Sequence, residues 1–124
     1  MAILSGVTSV YPGHKEWELL KLLNDQSSDE TTSDDVSIEN ADSVTLFVET
    51  AASTSGGVVQ LQTAVTAGGP YFTAASITTS AASVGYAVTL AGGDDGMPAR
   101  YARARIETAI AGGGSIDAYL VIQK

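Results

Sequence analysis

The sequence predicts an all-β fold, an antiparallel β-sandwich of jelly-roll-like topology with seven to eight short strands and an irregular N-terminal arm. Three observations carry that prediction. Apolar and polar residues alternate with a period of two in several short runs, turn residues recur every ten or so positions, and no long run shows helical periodicity. Period two means that successive side chains point to opposite sides of a strand, so one face is buried and the other meets solvent or a partner. A sandwich is the architecture that buries many such half-apolar strands, and an immunoglobulin-like strand order would satisfy the same spacing.

The first segment is the least regular. Met1–Pro12 is apolar yet turn-rich, and Pro12-Gly13 marks a turn. Lys15–Asn24 reads either as a short amphipathic helix, with Trp17, Leu20 and Leu23 at helical spacing, or as a strand carrying Trp17 and Leu19 whose alternation then fails. A strand is preferred, because a lone short helix needs tertiary support and everything downstream is β. Gln26–Asp35 is polar and acidic, without apolar anchors, and is expected to be a solvated loop. Residues 1–35 therefore read as arm, first element and acidic loop, and 36–124 as the sandwich core of a single domain.

Within the core, Val36–Asn40 is a short strand. Ser43–Thr50 places Val44, Leu46 and Val48 on one face, and Gly57–Thr63 places Val59 and Leu61 inward with Gln60 and Gln62 outward. The small-residue turn between them predicts an antiparallel neighbouring pair. Gly68-Gly-Pro70 breaks the chain before Tyr71-Phe-Thr-Ala, and Gly85–Leu90 aligns Tyr86, Val88 and Leu90. After the loop Gly92–Pro98, Tyr101–Ile110 and Ile116–Gln123 read as two strands of one hairpin joined by Gly112–Gly114. Their inward sets are Ala102, Ala104, Ile106, Thr108 and Ile110, and Ile116, Ala118, Leu120 and Ile122.

Composition removes several kinds of function. There is no cysteine, so disulfides, thiolate metal sites and cysteine nucleophiles drop out. A formal charge of −8 argues against nucleic acid, whose phosphates need a basic face. No run of about 18 apolar residues exists to span a membrane as a helix, and the N-terminus lacks the pattern of a signal peptide, so synthesis in a cytosol is expected. His14, the single histidine, reads as a surface turn residue. The Asp29–Asp35 run and the Asp94-Asp95 turn lack the ligand register of a calcium loop, and no Gly-x-Ser-x-Gly elbow occurs. The expectation is a non-enzyme that needs no metal or cofactor.

What remains is the outward parity of the strand beginning at Tyr101. All three arginines fall at Arg100, Arg103 and Arg105. They suit a cross-strand ladder to carboxylates such as Glu107 or Asp117, worth at most about 1 kcal/mol per pair. They suit equally an interface in which arginine forks grip a partner's carboxylates. Arg100, Tyr101, Arg103, Arg105, Tyr119 and Trp17 are the candidate interface residues. Tyrosine or tryptophan on a sandwich face also allows stacking on a sugar ring, which keeps a carbohydrate-binding module as an alternative.

The strands Val44–Thr50, Val58–Thr63 and Tyr86–Leu90, the Tyr101-Ala-Arg-Ala-Arg-Ile106 run, the turn Gly112–Gly114 and the last strand Ile116–Ile122 resemble small structural proteins of tailed bacteriophages. The likeness covers Val36 to Lys124. It implies a virion protein of the capsid decoration (cement) type, a homotrimer on the outer surface of the major capsid protein shell. A tail or neck component, or a host-adhesion module displayed on the virion, shares the pattern. In the decoration reading, Met1–Pro12 is an arm that reaches a neighbouring subunit.

Overall fold

The computed structural model describes residues 7–9, 17–92 and 99–123, with side chains from residue 18 onward. The expected turn around His14, the greater part of the Met1–Pro12 arm and the Asp94-Asp95 turn lie outside the described residues. The described chain is all β: β1 (Val7–Ser9), β2 (Trp17–Gln26), β3 (Val36–Ser37), β4 (Ser43–Thr50), β5 (Gly56–Ala64), β6 (Tyr71–Thr78), β7 (Gly85–Ala91), β8 (Tyr101–Ala111) and β9 (Ile116–Gln123). Among the described residues nine strands form, where seven to eight are predicted. No helix among the described residues is long and apolar enough to cross a membrane.

Two antiparallel sheets stack face to face, one of five strands in the order β1-β2-β9-β4-β7 and one of four in the order β3-β8-β5-β6. Setting the short β1 aside, this is the interleaved order of a jelly roll, in which the chain changes sheet at nearly every connection. The inner parities are those the alternation marks: Val44, Leu46, Val48, Val59, Leu61, Ala102, Ala104, Ile106, Ala118, Leu120 and Ile122 are all buried in one core. Each large aliphatic side chain withdrawn from water contributes about 1.5–3 kcal/mol. Thr108 departs from the pattern and is exposed, because the β5–β8 register shifts between Gly56 and Val59.

Of the expected Lys15–Asn24 element, the described part from Trp17 onward is strand, and its lost alternation has a local cause. The register of β2 against β9 slips between Lys21 and Leu23, so a β-bulge turns the adjacent Leu22 and Leu23 both into the core.

Two expected pairings do not form. β4 and β5 lie in different sheets, β4 between β9 and β7 and β5 between β8 and β6. The same holds for β8 and β9, so Tyr101–Gln123 is a crossover between sheets and not a hairpin. Alternation reports which way a side chain faces, and either arrangement buries the same parity.

The acidic segment is also not a free loop. Its backbone runs along the edge of β8: Glu30 N donates to Ile106 O at 2.7 Å, Ser33 N to Ala104 O at 2.9 Å, and Ile106 N to Thr31 O at 2.8 Å. The Ser33 hydroxyl is buried and accepts from Ala104 N. Only the outer side, with Asp29, Glu30 and Asp34 exposed, is solvated.

Candidate functional site

The outer face of the four-stranded sheet is built around β8 and β5. Antiparallel register sets Arg105 opposite Gln60 and Arg103 opposite Gln62. The expected ladder to carboxylates gives way to one of glutamines. Arg103 Nε donates to Gln62 Oε1 at 2.9 Å, Gln62 Nε2 to Gln60 Oε1 at 3.3 Å, and Arg105 Nη1 to the same Gln60 oxygen at 3.3 Å. Asp117 is in the other sheet, where it meets Lys21 Nζ at 3.7 Å.

Tyr71, at the start of β6, completes the face. The Arg103 guanidinium carbon lies 3.4 Å from the centre of the Tyr71 ring, a cation–π stack. The Tyr71 hydroxyl donates to Asp35, whose other oxygen accepts from Gly68 N at 2.9 Å. A chain of contacts thus runs Asp35–Tyr71–Arg103–Gln62–Gln60–Arg105. It ties both guanidinium groups to side chains of neighbouring strands.

That arrangement fixes geometry without neutralising charge. Glutamine supplies acceptors but carries no charge. Among the described residues, neither Arg103 nor Arg105 has a carboxylate within 4.0 Å, although the chain holds 14 Asp and Glu. Arg100 differs: it is exposed and meets Glu39 Oε1 at 3.6 Å, a surface pair worth at most about 1 kcal/mol.

The hydrogen bond to Asp35 raises the Tyr71 pKa above its ordinary 10.0, aided by burial and by the Asp35 charge and opposed by Arg103. The folded state therefore holds the phenolic proton more tightly than the unfolded chain. The stability this gives is fully present below pH 10.0 and is lost as pH rises through the raised value. Asp35→Asn is expected to lower the Tyr71 titration toward the ordinary range, read as phenolate absorbance in an alkaline titration.

Tyr101 opens β8 in the same sheet, paired with Ala64 and Ser37, and the last two candidates, Tyr119 and Trp17, belong to the opposite sheet. Tyr119 in β9 stands opposite Lys21 and Phe47, with Lys21 Nζ 5.4 Å from its ring centre. The backbone of Trp17 pairs with Gln123 at the far end of β2; its side chain lies outside the described residues. The six predicted residues thus divide between the two sheets and do not form one site. On the Tyr119 side, Leu19, Phe47, Glu49, Tyr86, Tyr119 and Val121 line an open groove of about 580 Å³. Among the described residues no group of three His, Cys, Asp or Glu is placed to hold a metal ion.

Gln60, Gln62, Tyr71 and Asp35 were not singled out from sequence. The outward parity of the two glutamines was legible, but their partners lie some forty residues away along the chain.

No known protein family matches the chain, and no curated protein matches it. Solved structures similar to it include the SPBc2 prophage-derived protein YomS, 8% identical, with a TM-score of 0.60 over 94% of this chain and 100% of that one. The K3 cleaved adhesin domain of Lys-gingipain from Porphyromonas gingivalis is 12% identical, with a TM-score of 0.56 over 88% of this chain and 74% of that one. A family 29 carbohydrate binding module is 16% identical, with a TM-score of 0.45 over 98% and 75%. At such identities the likeness is one of fold.

Proposed function

We propose that the chain is a structural protein of a tailed-bacteriophage virion, a capsid decoration protein that binds the outer surface of the major capsid protein shell. The observation that carries this reading is the state of Arg103 and Arg105. In a chain of net charge −8, two guanidinium groups are held on a sheet by neutral glutamines, and among the described residues no carboxylate lies within 4.0 Å of either. Such a face fits carboxylates supplied by another protein, each charge-assisted bond contributing about 1.5–3 kcal/mol once water is excluded. A subunit seated across a capsomer boundary adds buried area on both sides, so separating the capsomers breaks more contacts at once. A jelly roll in common with a prophage-derived protein supports the same assignment at the level of fold.

The test is binding to expanded capsids that lack the protein, followed by heating. Bound protein is expected to raise capsid melting, and unchanged melting with the protein bound would refute the stabilising role. Arg103→Glu is expected to weaken capsid binding by at least about a hundredfold, because reversal sets like charges against each other. The isolated variant should remain folded, losing about 1–2 kcal/mol with the Tyr71 stack and one hydrogen bond. Unfolding of the variant would instead make the arginine row an internal ladder.

One observation favours a second reading, a carbohydrate-binding module displayed on the virion. The groove beside Phe47 and Tyr119 joins aromatic rings to the Glu49 carboxylate, the combination that stacks on a sugar ring and accepts from its hydroxyls. Glycan binding abolished by Tyr119→Ala, with capsid binding absent, would select it.

A further inference from the structure

All charged residues of the chain lie outside residues 50–93, about a third of its length. That run builds β5, β6 and β7, and β6 and β7 are the end strands of the two sheets on one side of the sandwich, in contact with each other. The opposite side is guarded. There the five-stranded sheet ends in the three-residue β1, and the acidic segment covers the edge of β8 with backbone hydrogen bonds.

Sheet edges invite pairing, and proteins blunt them with charge, proline, bulges or a covering segment. β6 carries such a bulge, since its register against β5 steps from Ala75 to Thr73. Among the described residues, β7 has none of these devices. It pairs with β4 in unbroken register over Gly85–Ala91, holds no charged residue or proline, and no described strand lies on its other edge. The ladder also fixes which groups are free. Thr50 N donates to Val84 O and Gly92 N to Asp42 O, so even-numbered residues of β7 bond to β4. The N–H and C=O groups of Gly85, Ala87, Thr89 and Ala91 therefore point away from the sheet.

We infer that β7 is a self-association edge: two copies pair β7 with β7, antiparallel about a twofold axis at Val88, and join two five-stranded sheets into one. In that register Gly85 faces Ala91 of the partner subunit and Ala87 faces Thr89 of the partner subunit, so every outward N–H meets a carbonyl. A second copy is the occupant because of charge. Subunits of net charge −8 repel one another, and this side is where two strands meet with no charge on either. Edge pairing of this kind is isologous and closes at two subunits, which departs from the homotrimer that the phage resemblance implies. It uses the opposite sheet from the arginine face, so capsid binding and self-association fail separately.

The test is sedimentation equilibrium of the purified chain at micromolar concentrations, with two variants. The wild type is expected at twice the 12.7 kDa subunit mass. Ala87→Pro deletes one outward N–H without touching the bonds to β4, and Ala87→Lys sets like charges across the axis; each is expected to weaken the dimer at least about tenfold. Arg103→Glu should leave it unchanged. If Ala87→Pro does not fold, Ala87→Lys and amide exchange decide: Gly85, Ala87, Thr89 and Ala91 should gain protection as concentration rises. A monomer or trimer at all concentrations, a dimer indifferent to Ala87→Lys, or outward amides that stay unprotected in the dimer would each overturn the inference.

Discussion

Ile106→Ala is expected to lower the unfolding free energy by about 2–5 kcal/mol, in the upper half of that range. The residue is fully buried in the middle of β8, opposite Val59 of β5. Its N–H donates to Thr31 O and its C=O accepts from Glu30 N, both on the acidic segment, while β5 pairs along the other edge of β8. A strand clamped in this way cannot move in to fill the space a smaller side chain leaves, so most of the cavity persists. Against a total stability of about 5–15 kcal/mol, such a loss is large. Urea unfolding should show a lower midpoint at an unchanged slope. The same strand carries Arg103 and Arg105 on its other parity. On the function proposed above, Ile106→Ala should therefore weaken the fold while leaving capsid binding at low temperature intact, and Arg103→Glu should do the reverse. A variant series along β8 that failed to separate stability from binding in this way would contradict the division of labour between its two faces.

How far the molecule is legible from its sequence follows from which interactions are local. The inner parities of β4 and β9, and of β8 apart from Thr108, were correct because a period of two is a property of each strand by itself. Pairing is different. Only β1 with β2 and β5 with β6 are both consecutive in sequence and hydrogen-bonded. Turn chemistry between Thr50 and Gly56, or at Gly112–Gly114, thus suggested hairpins where the chain was passing from one sheet to the other. β2 was ambiguous for a second reason: one bulge turns Leu22 and Leu23 both inward, a pattern that looks helical over a few residues. At the arginine face, the outward direction of Arg103 and Arg105 was readable and their neighbours were not. The ladder to carboxylates assumed Asp117 on the adjacent strand. Once β8 and β9 separate into different sheets, Gln60 and Gln62 take that place. The change matters for the proposed function, because a carboxylate would have neutralised the arginines and a glutamine does not.

Gly112→Ala should cost at least about 3 kcal/mol, enough to threaten folding, because two independent penalties meet there. Its φ of +82° lies in the left-handed region that L side chains avoid. A Cβ would also fall well inside contact distance of the Ser53 carbonyl oxygen and 2.6 Å from Ser55 Oγ. The closeness has a structural purpose. The crossover from β4 to β5 and the one from β8 to β9 are tied together, with Ser55 N donating to Ala111 O at 3.1 Å and Ala51 N to Ser115 O at 3.0 Å. Glycine lets the two chain segments touch as both change sheet. Gly113 provides the control: its φ is +77°, but a Cβ there would meet nothing within 4 Å. Gly113→Ala should therefore show the backbone penalty alone, about 1–2 kcal/mol. The difference between the two variants, measured by chemical denaturation, isolates the contact between the crossovers. Equal losses would mean that backbone conformation, and not the close approach of the two segments, demands glycine at Gly112.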